Sequence, residues 1–133
     1  MQTVEGLVAQ PIDVCWRAFT NVAKLTQWVP GLRDARVIEM RDDGLPQEIM
    51  FEFVSGALYS LVYSYDFDDS AISWEPRSGD LAVRGEVAFV ETERGTRMTY
   101  SIEQPPGRSR AERSLDDPHE LVAAFTRYVE RLD

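Results

Sequence analysis

Leu58-Tyr59-Ser60-Leu61-Val62-Tyr63-Ser64-Tyr65-Asp66-Phe67 is the stretch on which the fold turns. Tyr59, Leu61, Tyr63 and Tyr65 fall at alternate positions, with Ser60, Ser64 and Asp66 between them. An extended chain therefore shows rings on one face and hydroxyls and carboxylates on the other, the mark of a strand with one buried side. Ile49, Phe51 and Phe53 continue the apolar face upstream. Downstream it runs through Ile72 and Trp74, then Leu81, Val83, Val87 and Phe89, then Met98, Tyr100 and Ile102. Glu48, Glu52, Ser73, Glu75, Arg84, Glu86, Thr99, Ser101 and Glu103 fall on the opposite face. A slip of one residue would bury several of these carboxylates, so the hydrophobic pattern sets the register.

Short breaks rich in turn formers separate these runs. Asp42-Asp43-Gly44, Gly56, Asp68-Asp69-Ser70, Ser78-Gly79 and Arg94-Gly95 divide the chain into strands at Ala35–Met40, Gln47–Ser55, Leu58–Phe67, Ala71–Pro76, Leu81–Thr92 and Thr96–Gln104. Gaps this short join antiparallel neighbours. A further strand, Thr3 to Ala9, brings the count to seven. Two short helices follow it. Pro11 opens the first, with Asp13 in its first turn, and Val22 to Trp28 forms the second, stopped by Pro30-Gly31. The last helix, Pro118 to Leu132, carries Leu121, Val122, Phe125, Tyr128, Val129 and Leu132 at helical spacing, and Asp117 can cap it. At about 1.5 Å per residue it is long enough to cross most of a sheet. The order is α+β: a seven-stranded antiparallel sheet curved around a long C-terminal helix, with two short helices between strands 1 and 2.

Composition fits one domain over residues 1–133. The net charge of −9 repels phosphate backbones and anionic headgroups, which argues against nucleic-acid and membrane-surface roles. The N-terminal residues have no signal-peptide pattern, and no apolar run reaches the ~20 residues of a membrane span. Stable membrane insertion is not expected, and a single cysteine accords with a cytoplasmic setting. The protein is expected as a monomer or homodimer.

Four stretches carry a family resemblance: Ala9-Gln10-Pro11-Ile12-Asp13-Val14-Cys15-Trp16, Leu25-Thr26-Gln27-Trp28-Val29-Pro30-Gly31, Ile72-Ser73-Trp74 and Gly95-Thr96-Arg97-Met98-Thr99-Tyr100. In this order they resemble the START/Bet v 1-like (SRPBCC) superfamily, and within it the bacterial polyketide cyclase/dehydrase-like proteins. The resemblance spans about Thr3 to Leu132. It implies a helix-grip fold with a cavity between sheet and terminal helix that holds a lipid- or polyketide-like hydrophobic molecule. It carries over no catalytic residue, since the superfamily has no universal catalytic motif.

The ligand contacts expected on this reading are Trp28, Phe51, Phe53, Tyr59, Tyr63, Trp74, Phe89, Tyr100 and Phe125. Such a lining, apolar with a few hydroxyls, is the usual make-up of a small-molecule site, and it is equally the make-up of a filled core. Cys15 and His119 are the only residues from which a thiol–imidazole pair could be built, and the reading favours a buried thiol and a solvated imidazole. One histidine and one cysteine make no zinc site of the usual kind, and the paired acids at Asp42-Asp43 and Asp68-Asp69 read as turn chemistry. No catalytic residue, metal or cofactor is expected. Arg108, Arg110 and Arg113 form the one basic cluster, a solvated loop or a cationic lip. Pro105 to Leu115 and Trp28-Val29-Pro30-Gly31 are the candidate doors to the cavity.

Three functions follow. The first is binding or carriage of a hydrophobic small molecule. The second is a polyketide cyclase, aromatase or dehydratase using tyrosines as acids. The third is a regulatory module that binds a protein through an exposed sheet edge.

Overall fold

The computed structural model describes residues 1–79, 82–103 and 117–132. Seven strands form one antiparallel sheet: β1 (Gln2–Val8), β2 (Leu32–Met40), β3 (Pro46–Phe53), β4 (Leu58–Asp66), β5 (Ala71–Ser78), β6 (Gly85–Thr92) and β7 (Gly95–Ile102). Between β1 and β2 lie helix α1 (Ile12–Thr20) and a 3-10 helix (Val22–Gln27), and helix α2 (Pro118–Glu130) follows β7. The strand order is β1-β7-β6-β5-β4-β3-β2. The fold is the expected helix-grip architecture. The two short helices are inserted between strands that occupy opposite edges of the sheet.

Alternation decided the faces correctly. Ile49, Phe51, Phe53, Tyr59, Leu61, Tyr63, Ile72, Trp74, Val83, Val87, Phe89, Met98, Tyr100 and Ile102 are all buried. Two outer-face serines are buried as well. Ser60 bonds Ser78 at 2.9 Å and Ser101 bonds Thr3 at 2.9 Å, so neighbouring strands cover them on the polar side. Such cross-strand hydroxyl pairs stabilise the ladder.

The expected strand from Leu81 to Thr92 begins instead at Gly85. β5 and β6 pair only from Ala71↔Ala88 to Trp74↔Gly85, whereas β5 pairs with β4 along its length as far as Ser78. Leu81 lies outside the described residues, as do Arg108, Arg110, Arg113 and the stretch from Pro105 to Leu115. β2 begins three residues earlier than the alternation suggested, since Leu32 already pairs with Phe53.

The terminal helix is positioned by its two ends. The Asp117 carboxylate accepts from the His119 amide at 3.0 Å, the expected N-cap. At the other end Gln10 Nε2 donates to the carbonyls of Val129 and Leu132, at 3.1 and 2.6 Å, and satisfies acceptors that the helix leaves open. The Ala9 amide donates to Glu130 Oε2 at 2.8 Å, and Thr96 Oγ1 donates to the Gln10 carbonyl at 2.8 Å. Gly6 permits the close approach of α2 to β1, for a Cβ there would stand 2.7 Å from Val122 Cγ1. The helix consequently packs chiefly on β1 and β7, at one side of the sheet.

Candidate functional site

The off-centre seat of α2 leaves the inner faces of β3, β4 and β5 to the two short helices. Phe19 and Thr20 from α1 close over the sheet, with Leu25 from the 3-10 helix and Trp28 and Val29 just after it. The space between is a cavity. Its volume is about 80 Å³. That is room for a few water-sized groups, below the several hundred Å³ of a typical drug-sized pocket.

Seven of the nine residues singled out from sequence line it: Phe51 and Phe53 on β3, Tyr59 and Tyr63 on β4, Trp74 on β5, Tyr100 on β7, and Trp28. Phe89 and Phe125 do not. They pack together at 6.1 Å between ring centroids, and Phe19 stands in front of both, 6.1 Å from Phe89 and 5.7 Å from Phe125. Trp28 meets Phe125 edge-on at 4.8 Å. Phe19 and Trp28 thus form a partition between α2 and the hollow. The expected position, directly between sheet and terminal helix, is displaced toward the short helices. Phe19, Thr20 and Leu25 carry no assignment from sequence, because helical spacing marks a buried face without saying what that face covers, and Val29 is expected only as part of a door.

Trp74 lies flat against backbone. Gly85 is its ladder partner, and a Cβ there would fall 2.7 Å from Trp74 Cζ2 and 2.8 Å from the Ser101 carbonyl oxygen. The indole therefore sits lower in the wall than a side chain opposite it would permit. The indole also meets Phe19 at 5.9 Å, Tyr63 at 5.9 Å and Tyr100 at 5.7 Å.

The polar content of the wall is small. Tyr65 donates its hydroxyl to the Pro46 carbonyl at 2.6 Å, and the Arg41 guanidinium lies over its ring at 5.0 Å from the centroid. Thr20 Oγ1 donates to the Trp16 carbonyl at 2.9 Å. Burial holds the Tyr63 hydroxyl well above the ordinary phenol range, and Tyr59, Tyr100 and Tyr65 push it the same way. Burial also raises Tyr65, against the opposing pull of Arg41. The lining contains no carboxylate, imidazole, amine or guanidinium among the described residues. Trp28 stands out: its indole Nε1–H is buried and has no hydrogen-bond partner among the described residues. A donor in that condition costs roughly 1–3 kcal/mol until an acceptor arrives.

Cys15 and His119 are not brought together as a dyad. Cys15 is wholly buried, and burial pushes its thiol up, while a hydrogen bond with Thr96 pulls the other way. His119 lies in the exposed first turn of α2. Among the described residues no three of His, Cys, Asp and Glu gather as metal ligands, and no helix is long and apolar enough to cross a membrane.

No protein-family profile and no curated protein matches this sequence. Solved structures do match in shape. A START superfamily protein from Mycobacterium smegmatis superposes with a TM-score of 0.77 at 17% identity, over 99% of this chain and 97% of that one. The di-domain ARO/CYC protein StfQ of the steffimycin biosynthetic pathway gives 0.75 at 19% identity, over 98% of this chain and 45% of its own. A STAR-related lipid transfer protein from Xanthomonas axonopodis gives 0.69 at 15% identity, over 97% and 85%. At such identities the likeness is one of fold. The chain has the START/Bet v 1-like helix-grip fold that its sequence landmarks imply.

Proposed function

We propose that this protein binds one small, largely apolar molecule in the cavity beneath Phe19 and Trp28, and holds it without chemical change. The observation that carries the reading is the composition of the wall. Rings and aliphatic chains supply contact area, and the described lining offers nothing that exchanges a proton near neutral pH. Tyrosines whose hydroxyls are pushed upward are poor acids, and general acid–base chemistry works best with groups that titrate near the working pH. Cyclisation or dehydration, the reading suggested by the ARO/CYC likeness, finds no proton donor suited to neutral pH among the described lining residues. Because one fold serves many functions, the lining weighs more than the likeness.

The narrow space and the Trp28 donor, unpartnered among the described residues, add two particulars. The ligand is about the size of one substituted ring. It also carries an oxygen that accepts from Trp28 Nε1. Calorimetric titration with 4-methylphenol and with toluene tests both. Both probes are expected to bind at one site, and Trp28→Phe should weaken 4-methylphenol by about fivefold, a hydrogen bond of about 1 kcal/mol, while leaving toluene unchanged. Failure of both probes to bind would overturn the cavity reading. Equal losses for both would leave the cavity standing and remove the acceptor.

A further inference from the structure

The outer edge of β2 carries an inference that stands apart from the cavity. β2 ends the sheet, and no strand among the described residues pairs with its free side. Val37, Ile38 and Met40 are 36%, 52% and 55% exposed on it. Long apolar edges invite another strand, and natural sheets usually protect them with charge or bulges. This edge has both, arranged in a self-complementary way.

β2 reads Leu32-Arg33-Asp34-Ala35-Arg36-Val37-Ile38-Glu39-Met40, two bases and two acids, so it is a neutral strip on a protein of net charge −9. In a regular strand Arg36 and Glu39 would face opposite sides. Here the pairing shifts between Val37↔Ile49 and Glu39↔Glu48, leaving Ile38 as an extra residue. The bulge returns Glu39 to the face of Arg36, which pairs with Met50. We propose that β2 pairs antiparallel with β2 of a second copy of this chain, about a two-fold axis through the Val37-Ile38 bulge. Each Arg36 then faces Glu39 of the other copy on the polar side, Ala35 faces Met40 on the other side, and Val37 and Ile38 meet their own copies at the centre.

Registers on either side are disfavoured by charge. A shift of one ladder position centres Arg36 on itself and sets Asp34 against Glu39; the opposite shift centres Glu39 on itself. Like charges directly opposite destabilise a strand pair. Arg36 now pairs with Asp34 at 3.4 Å, with 73% of its side chain exposed, so it is free to turn outward. An isologous contact of this kind closes at two copies and joins two sheets into one without touching either cavity.

Charge exchange tests the register. Sedimentation equilibrium of the whole chain, from micromolar to near-millimolar, should show a monomer–dimer equilibrium that weakens with added salt. Arg36→Glu and Glu39→Arg should each raise the dimer dissociation constant by about tenfold or more, since each creates two like-charge pairs. The double variant Arg36→Glu/Glu39→Arg should return to within about threefold of the parent, as should an equimolar mixture of the two single variants, whose charges complement each other. Both positions are exposed, and an unchanged far-ultraviolet circular dichroism spectrum confirms the fold of each variant. A chain that stays monomeric throughout, a dimer indifferent to the single reversals, or a double variant that fails to recover would each overturn the proposal.

Discussion

Gly85→Ala probes the cavity wall from behind. The added Cβ would stand 2.7 Å from Trp74 Cζ2, 2.8 Å from Trp74 Cε2 and 2.8 Å from the Ser101 carbonyl oxygen. Ordinary contact needs about 3.5 Å or more, so something must move by roughly 0.7 Å. The Ser101 carbonyl belongs to β7, the ladder neighbour of β6, and it yields at the cost of the sheet. The indole has one freer direction, which is into the cavity. Overpacking of this kind costs about 1–3 kcal/mol, a fall in Tm of several degrees for a domain of this size. With only about 80 Å³ of space for water-sized groups, an advance of the Trp74 ring should also weaken 4-methylphenol by an order of magnitude. Thermal unfolding followed by near-ultraviolet circular dichroism reads the first effect and calorimetric titration the second. A variant with the parent's Tm and the parent's affinity would refute the account of Trp74 as a wall held back by the bare Gly85 backbone.

Other perturbations have equally definite outcomes. Phe125→Ala removes a wholly buried ring that touches Phe19, Trp28 and Phe89, and should cost about 3–5 kcal/mol in urea unfolding; a loss under about 1 kcal/mol would mean the partition behind the cavity is not packed as described. The hydroxyls of Tyr63 and Tyr65 and the Cys15 thiol are all raised in the fold, so the protonated forms are favoured there. Their contribution is fully present below the unfolded-state values, about 10 for tyrosine and 8.5 for cysteine, and is lost as pH climbs beyond them. Unfolding free energy should fall above about pH 10, and Tyr63→Phe should flatten that fall; an unchanged slope would show that Tyr63 is not buried. Cys15 should react with a disulfide reagent only as fast as the protein opens, and rapid modification of the native protein would contradict its burial.

The sheet was legible because its chemistry is one-dimensional. In Tyr59-Ser60-Leu61-Val62-Tyr63-Ser64 each side chain's face follows from its parity, and antiparallel pairing with one polar face leaves a single assignment. The cap at Asp117 was legible for a similar reason, since capping is local. What failed was what depends on distant partners. The start of β6 at Gly85 is set by where its pairing with β5 ends, at Trp74, and nothing in the composition of Leu81 to Arg84 records it. The exclusion of Phe125 from the cavity depends on Phe19, a residue more than a hundred positions earlier that comes to stand in front of it. The bulge at Ile38 leaves no sign in the alternation either, because Val37 and Ile38 are both apolar. Ser60 and Ser101 read as solvent-facing from their own composition, and only their hydroxyl partners on neighbouring strands bury them.

The central claim is that the hollow beneath Phe19 and Trp28 accepts a ligand, and methyl-resolved NMR titration with 4-methylphenol tests it most directly. Ile49, Leu61, Ile72 and Val83 have methyl groups in residues that line the cavity, whereas Val122 and Val129 sit on α2 behind the Phe19–Trp28 partition, and Leu7 and Val90 are exposed. The account predicts shifts that saturate at one equivalent and are largest at Ile49, Leu61, Ile72 and Val83, with Leu7 and Val90 unmoved. Shifts that never saturate, or that are largest at Leu7 and Val90, would mean a filled interior and a probe that merely coats the surface.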